Sequence, residues 1–264
     1  MKITVFTSNQ PRHISLIESL SLIADEVYAV QECNTIFPGK VDDFFKRSEV
    51  MQEYFSHVIE AEKTIFGQPR FSPANVKSIS MKLGDLIRLD INALKPALES
   101  DCYIVFGSSF IKGELCEFLV DHKALNIHMG TSPYYRGSSC NFWALQDGNP
   151  DYVGATIHLL SKGLDSGPML FHALPKPQEI EPFLLGMSAV KAAHEGLISQ
   201  IKSGKIFELI PVQQDKKREL KYTRNSDFTD EVAAEYLKTA PTSSDVYHSL
   251  KSRDLDQFLH PHIA

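Results

Sequence analysis

The sequence predicts an α/β fold: a mostly parallel sheet with helices on both faces, extended by a small C-terminal appendage. Three observations carry that expectation. Short runs rich in β-branched and aromatic residues alternate with segments of helical period, the span from Lys2 to Val30 has the length of one strand-helix-strand unit, and the texture changes after Gly204. The 264 residues, 43% hydrophobic and 23% charged, suffice for a sizeable core that folds on its own.

The elements follow in order. Lys2-Ile3-Thr4-Val5-Phe6 reads as a strand, and Thr7 to Arg12 as a polar turn. Within His13 to Asp25, Ile14, Leu16, Ile17, Leu20 and Ile23 recur mostly at helical spacing, with Pro11 placed where a first turn tolerates it. Val27 to Val30 forms the next strand. Val50, Met51, Tyr54, Phe55, Val58 and Ile59 predict a long amphipathic helix over Lys46 to Ala61. A helix over Leu86 to Leu98 leads into a strand at Asp101 to Phe106, ended by Gly107-Ser108-Ser109. A helix over Lys112 to Val120, strands at Ala124 to His128 and Gly154 to Leu160, and a helix over Glu181 to Ile201 complete a domain spanning 1–204. In the appendage, 205–264, strands are expected near Ile206–Pro211 and Leu220–Tyr222, joined by the charged turn Asp215 to Glu219.

Composition excludes several classes. The 27 Lys and Arg against 33 Asp and Glu give a net charge of −6, with no basic footprint for nucleic acid. No run approaches the ~18 apolar residues of a membrane span, and the opening turns polar too early for a signal peptide, so a cytoplasmic protein without a membrane partner is expected. Cys33, Cys102, Cys116 and Cys140 form no C-x-x-C pair, and His260 and His262 lack a ligating partner at useful spacing, so neither a disulfide framework nor a metal is expected.

Reactive side chains concentrate between Asn126 and Gly167. Asn126 and His128, two apart on a strand, leave the same face and can converge on one ligand, while Asp165 sits in a glycine-flanked loop that a ligand can approach closely. An amide, an imidazole and a carboxylate suit acyl transfer to an amine. The amide N–H of Asn126 and a protonated His128 would stabilise an oxyanion, an effect of about 3–4 kcal/mol where it has been measured. Asp165 would hold His128 charged or relay a proton from the amine through water. Taken singly, N-x-H is an ordinary strand end and Asp165 an ordinary turn residue. His158, two residues after Thr156 on a strand, reads as a hydrogen-bonded structural histidine ahead of a group bordering the pocket, and Trp143 as part of a packed helix face.

The longer pattern is more specific. Ala124-Leu125-Asn126-Ile127-His128, Pro133-Tyr134-Tyr135-Arg136-Gly137, Phe142-Trp143-Ala144-Leu145, Gly154-Ala155-Thr156-Ile157-His158 and Gly163-Leu164-Asp165-Ser166-Gly167-Pro168 stand in the order of the folate-dependent formyltransferases. The chain resembles that family, which includes methionyl-tRNA formyltransferase, glycinamide ribonucleotide transformylase and the sugar N-formyltransferases. The likeness covers about residues 100–175 well and the opening unit in outline. It implies a Rossmann-like formyltransferase fold, Asn126, His128 and Asp165 as the catalytic triad, and 10-formyltetrahydrofolate as the formyl donor. By the same resemblance the segment Phe106, Gly107, Ser109, Phe110 and Ile111 receives the pterin ring, and the loop of Lys162, Gly163 and Leu164 closes its other side. Core packing is the competing role for Phe110 and Ile111.

Two departures concern the acceptor. Gly130-Thr131-Ser132-Pro133 stands where many relatives carry Ser-Leu-Leu-Pro, and Ser8-Asn9-Gln10-Pro11-Arg12-His13 replaces the glycine-rich phosphate loop of the purine-pathway enzymes. Ser8, Asn9, Arg12, Tyr135 and Arg136 are the candidate substrate contacts, with solvation competing for Arg12 and a loop-fixing ion pair for Arg136. The expected reaction is N-formylation of a primary amine on a small acceptor, a nucleotide-linked amino sugar. The alternatives are methionyl-tRNA or glycinamide ribonucleotide as acceptor, formyltetrahydrofolate hydrolysis, and folate binding without turnover. Acidity and the short segment after Gly204 argue against tRNA, and the hydrolases resemble one another in an extra N-terminal domain. The appendage is expected to complete the acceptor pocket, to form a homodimer interface, or to cover a sheet edge.

Overall fold

A computed structural model describes residues 1–34 and 47–264. Eight strands form the main sheet in the order β10-β8-β7-β5-β4-β1-β2-β3. They are β1 (Lys2–Thr7), β2 (Glu26–Cys33), β3 (Val76–Lys82), β4 (Cys102–Val105), β5 (Leu125–His128), β7 (Ala155–Leu159), β8 (Met169–Leu174) and β10 (His262–Ile263). β7 runs antiparallel to both its neighbours and every other pairing is parallel, so the sheet is mostly parallel, as predicted. A second, two-stranded sheet pairs β6 (Tyr135–Gly137) with β9 (Lys221–Thr223).

Period-two alternation distributes the strand residues over two faces. Ile3 and Val5 of β1, with Cys102 and Ile104 of β4, join a core against Leu16, Ile17 and Leu20 of α1 (Pro11–Ser21) and Val190, Ala193 and Leu197 of α5 (Pro182–Lys202). Phe6, Tyr103 and Val105 face the other way, against Leu115, Cys116 and Leu119 of α3 (Gly113–Asp121). A further apolar cluster joins α2 (Glu49–Phe66), α4 (Cys140–Gln146), α5, α6 (Asp230–Thr239) and α7 (Ser243–Lys251) around Tyr54, Phe142 and Tyr236. The fold is thus the Rossmann-like α/β arrangement with helices on both faces of the sheet.

Several local expectations are corrected. The helix expected from Lys46 begins at Glu49, where the Ser48 hydroxyl caps Met51 N, and Lys46 itself lies outside the described residues. Leu86 to Leu98 forms two 3₁₀ segments, Leu86–Arg88 and Ile91–Leu98, because the Asp90 carboxylate caps Asn92 N between them and Pro96 removes a backbone donor. The segment near Ile206–Pro211 is no strand; after Gly204 at φ +75° it makes a 3₁₀ turn, Lys205–Phe207, and touches the sheet through a bridge between Val212 and Met169. Lys216–Arg218 forms an exposed turn, but β9 pairs with β6 rather than with a hairpin partner. Sequence reasoning did not anticipate β3, β8, β10, α6 or α7.

Strand order positions the site. From β1 the chain moves outward through β2 and β3, then β4 pairs on the other side of β1, which creates a switch point where loops diverge. β7 is the partner of β5, in a register that sets His158 opposite Asn126 and Thr156 opposite His128.

Candidate active site

A cleft of about 340 Å³ opens at the carboxyl ends of β1, β4 and β5. Asn126, His128 and Asp165 line it, together with Arg12, His13, His158, and the loops running from Phe106 to Ile111 and from Ser161 to Asp165.

The Asp165 carboxylate joins these groups. Its Oδ2 lies 3.3 Å from His128 Nδ1, and its Oδ1 receives Asn126 Nδ2 at 3.1 Å and lies 3.8 Å from His158 Nε2. Asp165 adopts φ +44°, a left-handed conformation that Asp tolerates better than most residues. Gly167 lets the same loop press on β7, since a Cβ there would stand 1.7 Å from the Leu159 carbonyl oxygen.

The hydrogen-bond network assigns the proton positions. His158 Nδ1 lies 2.8 Å from the Leu159 carbonyl, which only an N–H can satisfy, so a neutral His158 accepts from Asn126 Nδ2 at 2.9 Å through Nε2. Both N–H groups of Asn126 are therefore engaged, one on Asp165 and one on His158. The Cys140 thiol donates to the Gly137 carbonyl at 3.4 Å, which leaves its sulfur to accept from His128 Nε2 at 3.5 Å. His128 thus has an acceptor at each ring nitrogen, the pattern of an imidazolium.

The electrostatics agree. Burial alone would lower the His128 pKa, but Cys140 and the Asp165 carboxylate outweigh it and raise the value above that of an ordinary histidine. Burial would likewise raise Asp165, yet the hydrogen bond and charge of His128 hold its carboxyl well below the usual range. His13, buried beside Arg12, is pushed well below the ordinary histidine value, by desolvation first and by the guanidinium second.

The loop after β4 is fixed from beneath by a buried carboxylate. Glu32, at the end of β2, accepts from Ser109 N at 2.6 Å, Ser109 Oγ at 2.9 Å, Gly84 N at 2.8 Å and Leu86 N at 3.2 Å. Gly107 takes φ +73° with the His13 ring directly over it. Phe106 and Ile111 are buried at the cleft floor, whereas Phe110 and Leu164 stand 43% and 56% exposed at its rim. Backbone groups and apolar rims suit a flat heterocycle with an amide-like edge. Lys162 turns away from the cleft, its ammonium paired with Glu117 of α3 at 3.0 Å.

Of the five acceptor candidates, Arg12 alone borders the cleft. Its Nη1 lies 2.9 Å from Glu62 Oε1, so its charge is matched by a buried carboxylate. Ser8 Oγ donates to the Glu32 carbonyl at 2.8 Å and Asn9 Nδ2 to the Asn34 carbonyl at 2.9 Å. Tyr135 is buried with its hydroxyl between Asp147 and Asn149, and Arg136 pairs with Glu219 at 2.7 Å. Pairing of β6 with β9 draws these last two away from the triad, which is where the ion-pair role considered for Arg136 is realised.

A second pocket of about 330 Å³ shares Arg12 and Met129 with the cleft. Tyr54, Phe142, Phe183 and Tyr236 supply its rings, and Ser139 and Asn141 its polar edge. Sequence reasoning missed Glu32, His13, Cys140 and this pocket, and for His158 it set a place at the pocket's border second to a hydrogen-bonded structural role; the side chain lines the cleft. The His158 contact depends on the pairing of β5 with β7, for which the shared x-His spacing of Asn126-Ile127-His128 and Thr156-Ile157-His158 is the one sequence signal. Among the described residues no group of three or more His, Cys, Asp or Glu could hold a metal ion, and no helix is long and apolar enough to cross a membrane.

Comparison with known proteins fits this geometry. Residues 91–178 match the formyl transferase family. A methionyl-tRNA formyltransferase of Anaeromyxobacter dehalogenans (strain 2CP-1 / ATCC BAA-258) is 30% identical over 120 residues, which is 45% of this chain and 38% of that protein. The match therefore spans well under two thirds of that relative's length. Two solved structures share the fold: a 4-N formyltransferase from Francisella tularensis, with a TM-score of 0.53 and 17% identity over 93% of this chain and 86% of that one, and a sugar N-formyltransferase from Shewanella sp FDAARGOS_354, with a TM-score of 0.53 and 18% identity over 86% of this chain and 78% of that one. Residues 91–178 thus match the formyl transferase family, and the chain around them has a fold shared with these solved formyltransferase structures.

Proposed function

We propose that the protein is a folate-dependent N-formyltransferase that acts on a primary amine of a small acceptor, a nucleotide-linked amino sugar. The observation that carries this reading is the convergence of Asn126, His128 and Asp165 in one cleft beside a backbone-lined loop. 10-Formyltetrahydrofolate would supply the formyl group and leave as tetrahydrofolate, its ring against Phe106 to Ile111 and the Gly163–Leu164 backbone.

The neutral amine attacks the formyl carbon, the bond from that carbon to the folate nitrogen breaks, and one amine proton ends on the departing nitrogen. The charged His128 stabilises the negative charge that develops on the formyl oxygen. Asn126 assists by releasing one N–H from Asp165 or His158. With so depressed a pKa Asp165 is a weak base, so holding His128 charged and oriented is the role that fits it, rather than accepting a proton. Support for a compact acceptor with a ring comes from the aromatic pocket that adjoins the cleft at Arg12 and Met129, since its rings can stack on a base or a sugar face.

Incubation with 10-formyltetrahydrofolate and a panel of amines, read by mass spectrometry, tests the proposal. A formylated amino-sugar nucleotide is the expected product. Formylation of methionyl-tRNA or glycinamide ribonucleotide instead would move the acceptor class, and release of formate with no formylated amine would replace transfer by hydrolysis.

A further inference from the structure

The segment after Gly204 reaches the triad at one side chain. Gln214 Nε2 donates to the backbone carbonyls of Asp165 at 2.8 Å and Gly167 at 2.9 Å, using both of its hydrogens. Two further bonds, between the backbones of Val212 and Met169 at 2.7 and 2.8 Å, hold the same segment along the start of β8. The loop is thus gripped on both sides, by Gln214 on one and by the tight contact of Gly167 with the Leu159 carbonyl on the other.

The orientation of the Gln214 amide is not free. Rotating it by half a turn would set its carbonyl oxygen against two other carbonyl oxygens. As it stands, Oε1 is buried and has no hydrogen-bond partner. A buried, unmatched acceptor is unfavourable for folding, so an apolar side chain of the same length would fill this place with no loss on that account. What the amide adds is control of the Asp165 backbone, which must hold φ +44° to aim its carboxylate at His128.

We infer that Gln214 is a positioning residue that sets the Asp165 carboxylate against His128, so that the C-terminal segment takes part in the reaction without touching substrate. The inference rests on the role of Asp165 in the function proposed above. Among the described residues the ionisable groups that meet His128 and Asp165 are each other, Cys140 and His158, and the hydrogen bonds of Gln214 go to backbone carbonyls rather than to these side chains.

The test uses the full chain labelled with ¹³C-histidine, in which the His128 resonance is identified by its loss in His128→Asn. In Gln214→Met, which keeps the length of the side chain and removes its donor, the His128 pKa is expected to fall by about one unit and kcat about tenfold, as a one-unit loss of pairing implies. The melting temperature should fall modestly, since two carbonyls lose their donor while one unmatched oxygen is removed, so the His128 titration and not the stability is the deciding readout. Gln214→Leu also removes the donor and adds no charge; it should shift His128 in the same direction, and it serves if the Met variant does not fold. A His128 titration that matches the wild type in either folded variant would overturn the inference. If His128 shifts but the wild-type protein formylates no amine, the positioning stands and the proposed function falls.

Discussion

Asp165 lies 3.3 Å from His128 Nδ1 while the second nitrogen of that ring meets the sulfur of Cys140 at 3.5 Å. The pairing explains how a nearly fully buried imidazole keeps its charge. Asp165→Asn removes the compensating charge and keeps the shape. The His128 pKa should then drop to or below the ordinary value, and formyl transfer should fall by about 100-fold or more. Steady-state rates and a histidine titration on one preparation check both parts.

The same pair sets a pH dependence of stability. Asp165 has a depressed pKa, so its contribution is complete above the ordinary carboxylate value and is lost as pH falls towards the depressed one. His128 has a raised pKa, so its contribution is complete below the ordinary histidine value and is lost as pH rises through the raised one. Both are in full force only between about pH 4 and 6.5. The melting-temperature gap between wild type and Asp165→Asn should be widest near pH 5–6 and narrow on either side, about those same reference values. The other buried histidines cancel in this difference, and a gap flat across pH would contradict the pairing.

Glu32 offers a test on the donor side. In Glu32→Gln one carboxylate oxygen becomes an NH₂ group facing backbone N–H donors, a change of about 1–3 kcal/mol against the folded state. Because two of the four bonds end on Ser109, the loop proposed to receive the pterin should loosen as well. Urea unfolding would report the first effect, and weaker binding of 5-formyltetrahydrofolate the second.

Arg136 and Phe183 separate the two surfaces that sequence reasoning could not. Arg136 is engaged with Glu219 and does not line the cleft, so Arg136→Ala should leave donor binding and turnover near wild type. Phe183→Ala, in the aromatic pocket, should raise the KM of the acceptor and leave that of the donor unchanged. Kinetics with each substrate varied in turn would reveal the reverse pattern if the pocket does not serve the acceptor.

Much of this molecule was legible in its sequence because the signals were local. Period-two and helical patterns located β1, α1, β2, β4, α3, β5 and α5, and the motifs around Asn126, His128 and Asp165 picked out residues that the fold gathers in one cleft. The missed features depend on distant pairings. Glu32 resembles an ordinary strand residue until Gly84, Leu86 and Ser109 bring their donors to it, and Gln214 stands 49 residues from the Asp165 carbonyl that it holds. Tyr135 and Arg136 were drawn to the acceptor by their place after the catalytic strand, but pairing of β6 with β9 directs them elsewhere. The edge strand β3 escaped notice because five of its seven residues are exposed, which weakens the apolar pattern of a buried strand.

The central claim is that the cleft between β1, β4 and β5 binds a formylated folate beside the triad. Titration of the ¹⁵N-labelled protein with 5-formyltetrahydrofolate, followed by NMR and calorimetry together, tests it most directly. The account predicts micromolar binding that shifts the amides of Gly107, Ser109, Phe110 and Gly163 and the side chain of Asn126. Absence of binding, or shifts confined to residues outside this cleft, would contradict it.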